Sequence, residues 1–328
     1  MKRTHGIKRL LVVFAALALV AAACGGDEEA GDAFRIAVVA PSAQNDLAFT
    51  QSIVDAVNAI QSEMGADAIE IAISDGLFVE ADAAAALRGY AEDGYDLVIG
   101  HGSQYGAALS EIAQDFPDIS FAWGTASDTF GLPNVSAYTA AADEGGYVHG
   151  VMASMLSASG NIGVVGPVDV GDASLYVNGF VNGAETMGST VAVNFIGSFS
   201  DVTLATEAAN AHVANGADVM TGTAQMVVGA VGVADQNNVL WFGTQSDQAS
   251  LADSIVVSSQ VYKWEVVLAG LVDSIKDGTL GGEVFEINLS NGGLVIEYND
   301  AYDLPADVRQ AADDAVAGII DGSMSTGL

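Results

Sequence analysis

The chain has 328 residues, 51% of them hydrophobic, with 42 acidic and nine basic side chains and a formal net charge of −33. Four of the basic residues fall within the first nine positions, which leaves five to set against all the acidic groups. So acidic a chain has no basic patch to displace counterions from phosphates, which excludes nucleic acid and anionic lipid surfaces as partners. The acid excess reads as solubility in salt, where charge is screened, rather than as a binding surface.

Lys2, Arg3, Lys8 and Arg9 form a basic start, followed by an apolar run over 10–23. That run is too short to span a bilayer, which takes roughly 20 residues. Ala21-Ala22-Ala23 then precede Cys24, so 1–23 reads as a secretory signal peptide with a small-residue cleavage site. The Cys at the first mature position resembles a bacterial lipobox and predicts lipid attachment at Cys24; Ala21 stands where the usual Leu would be. Residues 24–33 form a short acidic tether rich in glycine. Cys24 is the single cysteine, so no disulfide forms within the chain. The remainder, roughly 305 residues, has room for one large domain or two ordinary ones.

Beyond the tether, strands and helices alternate. Strands are predicted at 34–40, 68–73, 96–100, 119–123 and 135–138, with helices at 49–64, 81–92 and 105–114 between them. A second series has helices at 144–157, 175–187, 201–215, 227–237 and 263–277. Its strands lie at 161–166, 191–196, 218–221, 240–243 and 255–260. Repeated strand–helix units predict parallel sheets covered on both faces. Two such series predict two α/β lobes, each a doubly wound parallel sheet, with a ligand cleft between them at the carboxyl ends of the strands. The first lobe takes 34–138 plus about 259–285, the second 139–258 plus about 286–328.

No enzyme announces itself. There is no His-Glu-x-x-His, no Cys or His cluster for a metal, no Gly-x-Ser-x-Gly elbow and no phosphate-binding Gly-x-x-x-x-Gly-Lys-Ser/Thr loop. Gly163-Val164-Val165-Gly166 is a strand edge rather than a dinucleotide fingerprint. His149 and His212 fall in helices and read as packed or solvated, and Glu144 as a first-turn acid. His101, in His101-Gly102-Ser103-Gln104-Tyr105, ends a strand where cleft residues are expected, and Tyr105 goes with it as a candidate. No catalytic residue, metal or cofactor is predicted.

Several stretches together resemble the basic membrane protein lipoproteins, the substrate-binding components of ABC importers that include purine nucleoside receptors. Asn45-Asp46-Leu47-Ala48-Phe49-Thr50-Gln51 is similar to the family's Asp-x-Ser-Phe-Asn-Gln loop, and Phe116-Pro117-Asp118-Ile119-Ser120-Phe121-Ala122 to its Tyr-Pro-Asp-x-x-Phe-Ala. Pro133-Asn134-Val135 and Glu144-Gly145-Gly146-Tyr147-Val148-His149-Gly150 follow in order, then Asn178-Gly179-Phe180-Val181-Asn182-Gly183-Ala184, Gly216-Ala217-Asp218-Val219 and Gly243-Thr244-Gln245-Ser246-Asp247-Gln248.

The resemblance implies a type I periplasmic-binding-protein fold, with Phe49 stacked on a purine and Asn45 and Asp46 hydrogen-bonded to its edge. Lys263 matches a family Lys and is expected in the cleft, with Asp247, which matches the second Asp of the family's Gly-Val-Asp-x-Asp-Gln. Two family carboxylates that grip a sugar are replaced near Thr125 and by Gln245. Trp123, Trp241 and Trp264 lie close to predicted strand ends; Trp123 and Trp264 are taken as cleft candidates and Trp241 as core. Gln225 and Met226 are placed as a lid. More aromatic surface and fewer acids fit a free nucleobase as well as a nucleoside. The expected protein is a monomeric, lipid-anchored receptor on the outer face of the membrane that delivers a purine-like ligand to an ABC permease. The alternatives are a sensor lipoprotein presenting its ligand to a signalling partner, and an enzyme using Asp46 or Asp247.

Overall fold

The computed structural model describes residues 33–328. The predicted signal peptide, Cys24 and the tether to Asp32 lie outside the described residues. In chain order come β1 (Phe34–Val39), α1 (Phe49–Met64), β2 (Ile69–Ser74), α2 (Glu80–Glu92), β3 (Leu97–His101), α3 (Gly106–Asp115), β4 (Ser120–Gly124) and β5 (Val135–Ala140). The second series is α4 (Ala142–Leu156), β6 (Asn161–Gly166), α5 (Gly171–Thr186), β7 (Thr190–Phe195), α6 (Val202–Ala214), β8 (Val219–Gly222), α7 (Val228–Asn237), β9 (Leu240–Gln245) and β10 (Val256–Tyr262). The chain ends with α8 (Glu265–Lys276), β11 (Val284–Ile287), β12 (Leu294–Tyr298) and α9 (Ala306–Ile320).

Two six-stranded sheets result, in the orders β11-β5-β4-β3-β1-β2 and β12-β10-β9-β8-β6-β7. Every pairing is parallel except that of β12 with β10. The central strands carry little but apolar or small residues, as strands covered on both faces must: all of β3 is buried, as are Ile36 to Val39 of β1. The fold is the predicted two-sheet α/β architecture.

The chain passes between the sheets three times: after β5, after β10, and between β11 and β12. The crossings are stitched together. Ala141 N–H donates to Ile287 O, Lys263 N–H to Gly293 O, and Leu289 N–H to a carboxylate oxygen of Glu144 at 2.7 Å. Sheet membership moves the expected lobe limits. β5 stays in the first sheet to Ala140, β10 in the second to Tyr262, and β11 in the first to Ile287.

Two of the motif stretches turn out to be packing devices. A Cβ on Gly146 or Gly150 of α4 would overlap the backbone of Tyr176 or Phe180 on α5. One on Gly179 or Gly183 of α5 would overlap the backbone of Asp143 or Tyr147 on α4. The two helices touch backbone to backbone, which only glycine permits.

Candidate functional site

Parallel strands from both sheets run their carboxyl ends toward one cavity of about 270 Å³. From the first sheet come Pro41 after β1, Phe49 at the start of α1, Phe78 after β2, Ser103 and Gln104 after β3, and Trp123, Thr125 and Ala126 at β4. The second sheet supplies Val170 to Ala173 at the start of α5, Phe199 after β7, Ala224 and Gln225 after β8, and Gln245 ending β9. A crevice beyond the carboxyl ends of parallel strands is where this architecture binds ligands.

The wall is aromatic, and its rings are backed. The Phe49 ring stacks on His101 with centroids 4.1 Å apart, and His101 stacks in turn on Tyr138 at 5.9 Å. His101 is buried, and burial holds its imidazole down at about 3, so it is neutral at working pH. Its Nε2 lies 3.2 Å from Phe49 O, and a carbonyl only accepts, so Nε2 carries the proton. Nδ1 then accepts from the Tyr138 hydroxyl at 2.7 Å. His101 thus fixes the backbone of Phe49 and supports one face of its ring. Trp123 is backed by Phe130, with centroids 5.0 Å apart, and its indole N–H donates to Gly102 O. Gly106 leaves room for this ring, because a Cβ there would overlap it.

The polar lining is sparse. Gln245 accepts from Ala224 N–H through its side-chain oxygen, and its NH₂ has no partner among the described residues. Both residues have positive φ, +71° and +74°, which non-glycine residues seldom adopt and which concentrates at functional sites. Asp172, in the first turn of α5, supplies a buried carboxyl group. Beside the cavity, Ser246 donates to Ala48 O at 2.8 Å and the Gln248 NH₂ to Leu47 O at 3.2 Å, joining a loop of the second sheet to the segment before α1.

Phe49, Trp123, Gln225 and Gln245 line the cavity, and the other eight sequence candidates do not. Asp46 is corrected to a helix cap: its carboxylate takes the N–H groups of Ala48, Thr50 and Gln51 and the Ser42 hydroxyl. Asn45 is an exposed residue of the same turn. His101 is corrected to a support behind Phe49. Tyr105 is fully buried and donates its hydroxyl to Leu77 O. Met226 is packed in the core of the second sheet. Asp247 is exposed and accepts from Ala249 N–H. Lys263 pairs with Glu297 of β12 at 2.8 Å on the surface. Trp264 is buried against Tyr138 and Tyr262 and donates to Ser52 Oγ. Trp241 is core, as expected.

Phe78, Ser103, Gln104, Asp172 and Phe199 were not anticipated. Each lies between the carboxyl end of a strand and the first turn of the helix after it, so the rule that ligands meet strand carboxyl ends, applied to every strand, would have found them. Among the described residues no cluster of His, Cys, Asp or Glu could hold a metal ion, and no helix is long and apolar enough to cross a membrane.

Comparison with known proteins agrees with this geometry. Over residues 33–316 the chain matches the Bmp family, described as ABC transporter substrate-binding protein PnrA-like. It is 25% identical over 303 residues to the purine-binding protein BAB2_0673 of Brucella abortus, covering 92% of this chain and 85% of that one. To the ABC transporter nucleoside-binding protein BmpA of Lactococcus lactis it is 26% identical over 255 residues, or 71% and 72% of the two chains. A solved solute-binding protein of an ABC transporter system from Conexibacter woesei superposes with a TM-score of 0.73 at 22% identity, covering 89% of this chain and 98% of that one. Two predominantly parallel sheets opposed at their carboxyl ends, an aromatic cavity and a match across 33–316 lead to one conclusion: the chain belongs to the Bmp family of ABC transporter substrate-binding proteins.

Proposed function

We propose that this protein is the extracytoplasmic, lipid-anchored receptor of an ABC importer and binds a purine-like heterocycle between its two sheets. The observation that carries the reading is the Phe49 ring, which lines the cavity and is stacked on His101, itself stacked on Tyr138. A rigid aromatic face is a platform for a flat ring, and a nucleobase of any kind has such a face. The relatives named for purine and nucleoside binding support the same class. A free base is favoured over a nucleoside, since the lining holds one carboxylate for donors of any kind. The receptor works as a monomer and performs no chemistry. Anchorage is through Cys24, so Cys24→Ser releases the protein into the medium.

The test is a melting-temperature screen of the purified protein against nucleobases and nucleosides. A ligand at a hundred times its dissociation constant adds about 2.7 kcal/mol. A purine that raises the melting temperature, together with mass spectrometry of the ligand released on denaturation, supports the proposal. A full panel with no shift refutes it.

A further inference from the structure

Asp172 is the one ionisable side chain among those lining the cavity. It is 7% exposed. Its carboxylate takes a long hydrogen bond, 3.4 Å, from the Tyr262 hydroxyl and is approached by the backbone N–H groups of Ala173 and of Asp172 itself, and no cation pairs with it among the described residues. All five basic residues of the described chain are engaged elsewhere. Arg35, Arg88, Lys263 and Arg309 pair with Glu70, Asp115, Glu297 and Asp313, and Lys276 lies over the Phe34 ring. Asp172 therefore lines an aromatic cavity with a carboxylate that has a long hydroxyl contact, nearby backbone N–H groups and no cation, so its roughly four acceptor sites retain capacity to spare.

A buried carboxylate short of donors is costly, and the protein as folded supplies only the long Tyr262 contact and nearby backbone N–H groups. A ligand with an N–H edge supplies another. We propose that Asp172 is the specificity-determining residue of the cavity: its carboxylate accepts a hydrogen bond from a ring or exocyclic N–H of the bound heterocycle, so that rings bearing such a donor are taken and rings without one are refused. This deepens the purine reading and rests on it. Stacking on Phe49 supplies affinity to any flat ring, and Asp172 then sorts the rings by their edges. The selection follows the asymmetry of buried polar groups: a ring lacking the donor leaves the carboxylate desolvated and short of partners, which is worse than forgoing a contact.

The test uses hypoxanthine and adenine, which carry N–H donors, and 9-methylpurine, which has the same ring and none. Dissociation constants are measured by calorimetry on the wild-type chain and on Asp172→Asn and Asp172→Ala. The wild type is expected to prefer the donor-bearing bases by about tenfold to a hundredfold, the range for a hydrogen bond to a charged group. Asp172→Ala brings the ratio to within about threefold by weakening hypoxanthine and tightening 9-methylpurine, and Asp172→Asn falls between. Changes of opposite sign for two ligands do not come from misfolding. A preference unchanged in both variants, or a wild type that binds 9-methylpurine as tightly as hypoxanthine, overturns the role of Asp172 and leaves the purine reading standing. Failure of all three rings to bind the wild type overturns both.

Discussion

Replacing Asp172 by Asn should stabilise the unliganded protein. Burial pushes the Asp172 carboxyl up to about 6, with the Tyr262 hydroxyl and nearby backbone N–H groups opposing the shift. An unfolded Asp titrates near 3.9, so the folded form holds a proton that the unfolded form has already lost, and folding becomes less favourable as pH rises from about 4 to 6. Above both values the full penalty applies: about two pK units at 1.36 kcal/mol each, or about 3 kcal/mol. Asn has no charge to desolvate and escapes it. Some of the gain is lost with the favourable first-turn charge on α5, about 0.3–1 kcal/mol. A net 2–3 kcal/mol raises the melting temperature by roughly 4–8 °C for a chain of this size. The assay is thermal unfolding of both proteins without ligand at pH 7.5 and at pH 5, both above the pI of about 4.1. At pH 5 the unfolded Asp is mostly ionised and the folded one mostly protonated, which leaves roughly half the difference. An Asn variant that melts at or below wild type at pH 7.5, or a difference that does not shrink at pH 5, would show that the carboxyl group is not desolvated as argued.

Other outcomes follow from single contacts. Gly183→Ala, which drives a methyl into the Tyr147 backbone, is expected to destabilise by 2 kcal/mol or more, read from chemical denaturation, although Ala favours helix by about 1 kcal/mol. Gly89→Ala on α2, where a Cβ meets nothing within 4 Å, should stabilise by about 0.5–1 kcal/mol in the same assay. Nitrogen NMR should find His101 and His149 neutral at pH 5 in opposite tautomers. His101 is protonated at Nε2. His149 is protonated at Nδ1, because Thr221 donates to Phe242 O, Tyr176 to Thr221, and His149 Nδ1–H to Tyr176, leaving Nε2 to accept from Ser258. Both imidazoles are held at about 3, below the unfolded value, so each removes stability as pH falls below about 6.5. Lys263→Ala, which breaks a half-exposed pair, should cost no more than about 1 kcal/mol and leave ligand affinity unchanged in calorimetry.

The central strands and the helices between them were legible because burial on both faces leaves runs such as Ile36-Ala37-Val38-Val39 that no other element explains. β11 and β12 were not. They are short edge strands, part exposed, and their residues alternate too weakly to announce a period. α9 carries the helical spacing Val308, Ala312, Ala315, but on small side chains that give little contrast with their neighbours. In the site, Phe49 was legible by resemblance, while Asp46 beside it was misread. An Asp just before a helix satisfies the free N–H groups of the first turn, and that demand is met here before any ligand arrives. Lys263 was placed in the cleft because it matches a family Lys. A matched position says nothing of surroundings, and in so acidic a protein a carboxylate, Glu297 on β12 beside β10, claims it. His101 was placed at the correct strand end, but only the three-dimensional packing reveals that Phe49 and Trp264 close over it.

The overall charge and the cavity bear on one another. Forty-two acids share five cations beyond the first nine residues, and the four ion pairs of the described chain lie at its surface. None is left to neutralise a negative group in the cleft, and the cleft already contains Asp172. A phosphorylated ligand would bring further negative charge to a desolvated carboxylate with no counterion, a cost of several kcal/mol that stacking on Phe49 does not offset. Salt relieves repulsion between solvated surface charges within a Debye length of about 8 Å, but screens buried pairs far less. On the proposed reading, the acidity that keeps the surface soluble and the solitary acid in the cavity would therefore select the same kind of guest: a flat ring without negative charge that carries its own hydrogen-bond donors.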